Sequence, residues 1–234
     1  MAEEEGFEPS ERGYRSTVFK TAAFNHSATP PGASVTIVPH EDGTEGAHMT
    51  SESDEKYMRL ALEEAALAAA EGEVPIGAVV VFEGEIVARA HNRRELDLDP
   101  SAHAEFSAMV AASQALGRWR LTGCTVYVTL EPCLMCAGLM VNARIDRCVY
   151  GAADPKGGAL GTLFDVSHDE RLNHEFEVTS GVLADEAASQ LRVFFRERRE
   201  ARKAQKTAVA GNCATTAGKG TTEAAEPGAN ELLG

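Results

Sequence analysis

The fold is decided by residues 124–150, which read CTVYVTLEPCLMCAGLMVNARIDRCVY. Residues 124–129 are rich in the β-branched and aromatic side chains that favour a strand. Residues 133–143 are rich in Leu, Met and Ala, which are good helix formers, and residues 147–150 again have the composition of a strand. The stretch therefore predicts a strand, a helix and a second strand, which together make a βαβ unit.

On the N-terminal side of this unit, the pattern predicts a helix, a hairpin and a second helix. Ser53 precedes two acids, as an N-cap residue does, and apolar side chains then recur at helical spacing until Gly72 ends the run. Two apolar segments flank the turn residues Glu83 and Gly84, which is typical of a β-hairpin. The elements predicted here are a helix after Ser53, strands at 76–82 and 85–90, and a helix across about 104–116.

On the C-terminal side, the sequence predicts a short strand at 176–179 and a final helix at about 185–204. The apolar side chains expected on one face of that helix are Ala187, Leu191, Phe194 and Phe195. Five strands interleaved with helices predict an α/β fold with three α/β/α layers: a central five-stranded mixed sheet with helices on both faces.

The composition is that of a globular protein with an acidic balance. Hydrophobic residues make up 44% and charged residues 25% of the 234, which excludes a wholly disordered chain. The net charge is −14, so contact with nucleic acid would need a local basic patch. No apolar run approaches the roughly 20 residues of a membrane helix, and the acidic start of the chain does not resemble a secretory signal. We therefore expect a cytoplasmic protein without a membrane span.

The two ends of the chain differ in composition from its middle. Residues 1–50 show no sustained period, and residues 207–234 are mostly Ala, Thr, Gly and Glu, so both are expected to be disordered extensions. The working domain is expected at 51–206. Met49, just before the first predicted helix, is an alternative start of translation.

Four side chains carry the chemistry: His103, Glu105, Cys133 and Cys136. Two cysteines three residues apart at a helix start direct both sulfurs to one point, and the free N–H groups there favour thiolate. With the imidazole of His103 they would provide three ligands for one zinc per subunit and leave a fourth position for water. Glu105 lies too close to His103 along the chain to be a further ligand, and is placed to take a proton from that water and pass it on.

Two other interpretations of these residues remain open. A C-x-x-C pair in a cytosolic α/β protein also serves as a redox dithiol. A structural zinc in a binding module without catalysis would need a fourth protein ligand, and Glu105 would then have no use. Cys124 and Cys148 fall in predicted strands, where buried inert thiols are expected.

A His-x-Glu followed by Pro-Cys-x-x-Cys is typical of zinc-dependent deaminases of nucleobases. The surrounding residues resemble the bacterial tRNA-specific adenosine deaminases almost residue for residue. The matching segments are SAHAE at 101–105, VYVTLEPCLMCAG at 126–138 and GAADPKGG at 151–158, with shorter ones at 74–79, 92–93, 173–174 and 194–196. The resemblance covers about 54–206 and departs at Ala153, where family members often carry Arg or another polar group.

This resemblance implies a cytidine-deaminase-like fold, a homodimer, zinc on the three predicted ligands and Glu105 as proton shuttle. The residues that it places at the substrate are Asn92, Ala104, Asp154 and Asn173. In the family, the asparagine matched by Asn92 hydrogen-bonds the edited base, although a turn or capping role would also explain it. An exposed loop carboxylate and a hairpin-turn residue are the corresponding alternatives for Asp154 and Asn173.

The reaction implied is hydrolytic deamination of adenosine to inosine at the wobble position of a tRNA anticodon, with a zinc-bound hydroxide attacking C6 of the base. A small-molecule deaminase of guanine, cytosine or a nucleotide is the alternative. Residues 192–206 carry seven basic side chains against two acidic ones, which favours a tRNA anticodon stem-loop as partner, although a solvated helix face would also explain them. The candidate RNA contacts are Lys156, Phe195, Arg198, Arg199 and Arg202.

Overall fold

The computed structural model describes residues 51–217, with side chains described from Glu52 to Thr207. The helices are α1 (Ser51–Ala70), α2 (Ala104–Ala115), α3 (Leu134–Ala143) and α4 (Ala184–Ala217). The strands are β1 (Gly77–Phe82), β2 (Glu85–His91), β3 (Cys124–Leu130), β4 (Arg147–Ala152) and β5 (Glu177–Thr179). Every helix and strand predicted within 51–206 is therefore present.

The five strands form one mixed sheet in the order β2-β1-β3-β4-β5. The β1–β2 hairpin is antiparallel, and β1 also pairs antiparallel with β3. Strands β3 and β4 are parallel because α3 carries the chain back between them, and β5 continues in parallel. The predicted hairpin, βαβ unit and mixed sheet are confirmed.

Helices cover both faces of the sheet, because successive side chains of a strand point to opposite faces. On one face, Val80 and Val126 belong to a buried cluster with Met109 of α2 and Met140 of α3. On the other face, Val79, Tyr127 and Val149 pack in a second cluster with Tyr57 and Met58 of α1. A third cluster joins α1 to α4. The three-layer arrangement is confirmed.

A glycine lets α1 approach the sheet. A Cβ atom on Gly77 would lie 2.1 Å from the carbonyl oxygen of Ala61 and 2.5 Å from the backbone nitrogen of Ala65. Any side chain at this first position of β1 would therefore push α1 away from the strand.

A buried ion pair also fixes α1 to the sheet. The carboxylate of Asp54 accepts two hydrogen bonds from Arg147, both 2.8 Å, and one from the hydroxyl of Tyr127 at 2.9 Å. Helix α1 begins at Ser51, so Ser53 lies inside it and is not the N-cap. Ser51 and Ser53 both precede an acid, so the local pattern cannot decide at which of them the helix begins.

Helix α4 differs from its prediction at two points. It continues to Ala217, so residues 207–217 are helical rather than irregular; extending an existing helix through an Ala-rich segment avoids the cost of nucleating a new one. Ala187 and Phe194 are buried as predicted, but Phe195 is 44% exposed and lies off the buried face. The predictions for 1–50, including a start at Met49, and for 218–234 lie outside the described residues. Within 51–217, the helices are too short or too polar to span a bilayer.

Candidate functional site

Three side chains that can bind a transition metal converge where α2 and α3 begin. His103 and Cys133 are the residues immediately before α2 and α3, and both have extended backbone. Cys136 lies in the first turn of α3. The Nδ1 atom of His103 is 3.7 Å from the Sγ of Cys133 and 3.7 Å from the Sγ of Cys136, and the three atoms all lie within 4.8 Å of one another. The structure thus brings together the three predicted ligands.

The donor set and its spacing fit zinc. Zinc binds sulfur at about 2.3 Å and nitrogen at about 2.0–2.1 Å in a tetrahedral arrangement, which puts a nitrogen and a sulfur ligand about 3.6 Å apart. The two distances from His103 to the cysteines match that value. Three protein ligands leave one tetrahedral position open, as in catalytic rather than structural zinc sites.

The two cysteines of this group differ in proton affinity. Hydrogen bonds from Cys136 and His103 lower the pKa of Cys133 to about 3. The same contact raises the pKa of Cys136, because its proton is held against the Cys133 thiolate. The hydrogen bond to Cys133 also raises the pKa of His103. Cys133 is therefore a thiolate at neutral pH, the form in which cysteine binds metals.

The two cysteines in strands take no part in this group. Burial raises the pKa of Cys124 to about 12 and also raises the pKa of Cys148. Both thiols stay protonated in the core, as the sequence predicts, and neither supplies the fourth ligand that a structural zinc would need.

Glu105 lies beside the ligands with one oxygen unused. Its side chain is 4% exposed in the first turn of α2, and its Oε2 atom is a buried oxygen without a hydrogen-bond partner. A buried polar atom without a partner is costly, so this oxygen is suited to receive a water or a substrate proton. Burial raises the pKa of this carboxyl, because the charged form is poorly solvated there.

Asn92 is buried directly after β2, in contact with Glu73, an acid outside every predicted motif. Its Nδ2 atom donates a hydrogen bond of 2.9 Å to Glu73, whose other oxygen accepts from the backbone N–H of Leu96 at 2.7 Å. A carboxylate only accepts hydrogen bonds, so the amide nitrogen must face Glu73. The next residue, Arg93, donates its N–H to the carbonyl of Ala102, which ties this segment to the approach to His103. An acid just past the end of a predicted helix was the one signal for Glu73 in the sequence.

The loop after β4 runs beside the metal ligands. Gly158 forms an isolated bridge with Cys133, and Asp154 accepts a hydrogen bond of 2.9 Å from the backbone of Lys156. Ala104, the first residue of α2, is fully buried between His103 and Glu105 in the chain. Asp154, Lys156 and Ala104 thus all belong to segments that adjoin the site.

Asn173 lies elsewhere. Its Oδ1 atom accepts a hydrogen bond of 2.7 Å from Arg144, which caps the C-terminal end of α3 in a left-handed conformation. The cysteines lie at the other end of this helix of 10 residues, about 15 Å away. Within this chain, the structure does not bring Asn173 to the metal ligands.

The remaining predicted contacts lie on α4. The seven basic side chains between Arg192 and Lys206 are all exposed, and none enters an ion pair with another residue in the described part of the chain. The guanidinium of Arg198 lies over the ring of Phe194, 5.4 Å from its centre. This surface is called the basic face of α4 below.

Comparison with known proteins identifies relatives along the described domain. The model of the MafB19-like deaminase family matches residues 52–199. The chain is 55% identical over 151 residues to the tRNA-specific adenosine deaminase of Bacillus subtilis, which covers 64% of this chain and 94% of that protein. It is 47% identical over 163 residues to the enzyme of the same name from Haemophilus influenzae. This match covers 69% of this chain and 94% of that protein.

Two solved structures resemble the fold. One comes from work on A-to-I editing by tRNA:A34 deaminases at the wobble position; it is 46% identical with a TM-score of 0.57, and covers 58% of this chain and 99% of that one. The other is guanine deaminase from Nitrosomonas europaea, which is 25% identical with a TM-score of 0.51. It covers 72% of this chain and 94% of that one.

Proposed function

Because this chain belongs to the family of tRNA-specific adenosine deaminases, we propose that it converts adenosine to inosine at the wobble position of a tRNA anticodon. Water replaces the amine at C6 of the base, and ammonia leaves. The observation that carries the proposal is the buried Oε2 of Glu105 without a partner, beside three converging metal ligands.

His103, Cys133 and Cys136 are the residues that would hold zinc, one per subunit. When bound, zinc lowers the pKa of a water in its open position to about 7, which makes hydroxide available at neutral pH. The Cys133 thiolate supplies negative charge for that role. The backbone N–H groups at the starts of α2 and α3 favour this charge.

Glu105 moves the protons. Its Oε2 atom can accept a proton from the attacking water and deliver it to the departing amine, so that the carboxylate is regenerated in each cycle. Exclusion of bulk water around this side chain strengthens its interaction with the developing charge.

Asn92 is proposed to hold the base. Glu73 occupies one N–H of the amide and fixes its orientation, which leaves Oδ1 and the second N–H for a purine edge. The backbone around Ala104 and the side chain of Asp154 are proposed to contact the base and the adjoining RNA.

The basic face of α4 is proposed to bind RNA phosphates, with Lys156 and the exposed ring of Phe195 as further contacts. Arg198, Arg199 and Arg202 lie within five consecutive residues of α4, and no acidic side chain among the described residues pairs with them. Because the whole chain has a net charge of −14, this local surface has to supply the attraction to RNA. A tRNA substrate also makes the cytoplasm the proposed place of action.

The proposed assembly is a homodimer. Leu134 and Met135 at the start of α3, and Leu163 and Phe164 in the loop after β4, are 49%, 38%, 51% and 53% exposed. The backbones of Leu163 and Phe164 donate hydrogen bonds to Gly158, the partner of Cys133 in its bridge, so the two pairs are neighbours. Apolar side chains clustered on a surface are typical of an interface. These four residues are called the apolar rim.

Sequencing of inosine in total tRNA after incubation with the purified protein tests the reaction. We expect inosine at position 34 of a tRNA that has adenosine there, and none with the Glu105→Gln variant. Free guanine, cytosine and adenosine serve as competing substrates in parallel assays, because a relative of this fold deaminates guanine. Rapid deamination of guanine together with unmodified tRNA would replace this proposal by the small-molecule alternative.

A further inference from the structure

A buried carboxylate lies at the centre of the loop after β4. Glu131, between β3 and the metal ligand Cys133, is 2% exposed. Its oxygens accept hydrogen bonds from the backbone N–H groups of Asp154 at 3.0 Å, Leu160 at 3.1 Å and Thr162 at 3.0 Å, and from the hydroxyl of Thr162. Four donors from one loop thus converge on a single side chain.

The loop follows the shape of this carboxylate closely. A Cβ atom on Gly158 would lie 2.3 Å from the carboxyl carbon of Glu131 and 2.3 Å from its Oε2. Any side chain at Gly158 would therefore displace either the loop or the carboxylate. Glycine at this position permits the contact.

The same carboxylate is joined to the metal ligands through the backbone. Glu131 directly precedes Pro132 and Cys133, and its own N–H donates to the carbonyl of Ala152 at the end of β4. The N–H of Ala159 donates to the carbonyl of Pro132 at 2.9 Å, and Gly158 bridges to Cys133. Ligand segment and loop are therefore one hydrogen-bonded unit centred on Glu131.

No basic side chain in the described part of the chain pairs with Glu131. Its negative charge is therefore stabilised by the N–H groups of the loop. Hydrogen bonds to a charged group are stronger than those between neutral groups, and a buried carboxylate that lost them would be left unsatisfied. A loop conformation that moves these N–H groups away is therefore disfavoured.

We propose that Glu131 is a positioning residue for RNA recognition: it fixes the loop at 154–162 against the metal-ligand segment. Asp154 and Lys156 are thereby held beside the edited base. The inference rests on the proposed function, because it assigns this loop to RNA. Glu131 is outside the group of three side chains that could hold the metal.

The test is Glu131→Gln in the full-length, zinc-loaded protein. The side-chain amide of this variant places an NH₂ group against the N–H donors of the loop. The backbone amide protons of Asp154, Leu160 and Thr162 should therefore exchange with solvent at least about tenfold faster. The KM for tRNA should rise about tenfold, while kcat and the zinc content change little. Gly158→Ala should act in the same direction, because its Cβ enters the same space.

Asp54→Asn is the matched control, because it alters a buried carboxylate that binds Arg147 rather than the loop. It should leave loop exchange and the KM for tRNA as in the wild type. If Glu131→Gln does not fold, Thr162→Val removes one donor, and it should show the same two changes to a smaller extent.

Unchanged exchange and unchanged KM in the folded variants would overturn the proposal. So would loss of zinc or of kcat at constant KM, because Glu131 would then act on the metal centre. The exchange measurement needs no RNA, so wild-type protein that fails to deaminate tRNA would refute the proposed function separately.

Discussion

At the scale of single residues, the candidate site consists of side chains gathered at two helix starts. His103 and Cys133 precede α2 and α3, and Glu105 and Cys136 lie one or two positions inside them. Helix N-termini stabilise negative charge, which suits the proposed metal-binding thiolate and the proposed proton-transferring carboxylate. Two substitutions separate metal binding from proton transfer.

Glu105→Gln should lower kcat for tRNA deamination by about 10²–10⁴-fold with zinc still bound, because an amide cannot accept and return a proton. Single-turnover kinetics with metal analysis of the same sample checks both parts. Turnover close to that of the wild type would remove Glu105 from the mechanism.

Cys136→Ala should remove one of three metal ligands and abolish stable zinc retention, with a loss of thermal stability. Elemental analysis of the purified variant measures the metal content. Cys148→Ala, at a buried cysteine outside the ligand group, is the control and should keep one zinc per chain. Full zinc occupancy in Cys136→Ala would show that the ion binds elsewhere.

At the scale of elements, charged side chains join α1 to the end of β2, next to Asn92. His91 is buried between two acids, with Nδ1 3.0 Å from Glu64 and Nε2 3.3 Å from Glu71. Arg89 pairs with Glu64 at 2.9 Å, and Arg93 pairs with Glu71. The hydrogen bond to Glu64 is the main reason why the pKa of His91 is raised above its ordinary value of 6.5.

The pKa of His91 is higher in the folded than in the unfolded protein. Its stabilisation of the fold is therefore complete below about pH 6.5, where the unfolded histidine is also protonated. This stabilisation is lost as pH rises through the folded value. The wild type should therefore exceed the His91→Phe variant in unfolding free energy by more at pH 6 than at pH 9. Chemical denaturation of both proteins at the two pH values measures this difference. Glu64→Gln should reduce this pH dependence, and an equal difference at both pH values would contradict the assignment.

Helix α4 offers a second prediction at this scale. Replacing Arg198, Arg199 and Arg202 by Glu should raise the KM for tRNA and flatten its dependence on salt, because fewer phosphates are neutralised. Zinc content and the unfolding transition should not change, since all three side chains are exposed. Tight tRNA binding with the salt dependence of the wild type would refute the role of the basic face.

At the scale of the whole molecule, the sheet separates the two helices that carry the candidate site from the other two. Strand order brings α2 and α3 to the same face, where their starts meet, while α1 and α4 cover the other face. The apolar rim adjoins the site, and its exposure is explained if a second subunit covers it.

Light scattering at micromolar concentration should give the mass of a dimer. The double variant Leu163→Glu and Phe164→Glu should shift the protein toward the monomer, because two charges would be buried at the interface. Leu67→Glu, at an equally exposed leucine on α1, is the control and should stay dimeric. A monomeric wild-type protein would refute the assembly.

The sequence by itself determined the order and kind of the elements, and it predicted the three side chains that the structure brings together beside Glu105. These follow from local rules: the period of apolar side chains sets helix or strand, and two cysteines three residues apart at a helix start lie on the same side. It did not determine the start of α1, the full length of α4 or the exposure of Phe195, because tertiary packing and helix extension decide them.

Only the tertiary structure decided which polar groups meet. The pairing of Glu73 with Asn92, the loop wrapped around Glu131 and the ion pair between Asp54 and Arg147 join residues far apart in the chain. It also separated Asn173 from the site by the length of α3. A local pattern predicts how a segment folds. The partners of buried polar groups depend instead on how distant segments pack, because every such group needs a hydrogen-bond partner in the packed structure.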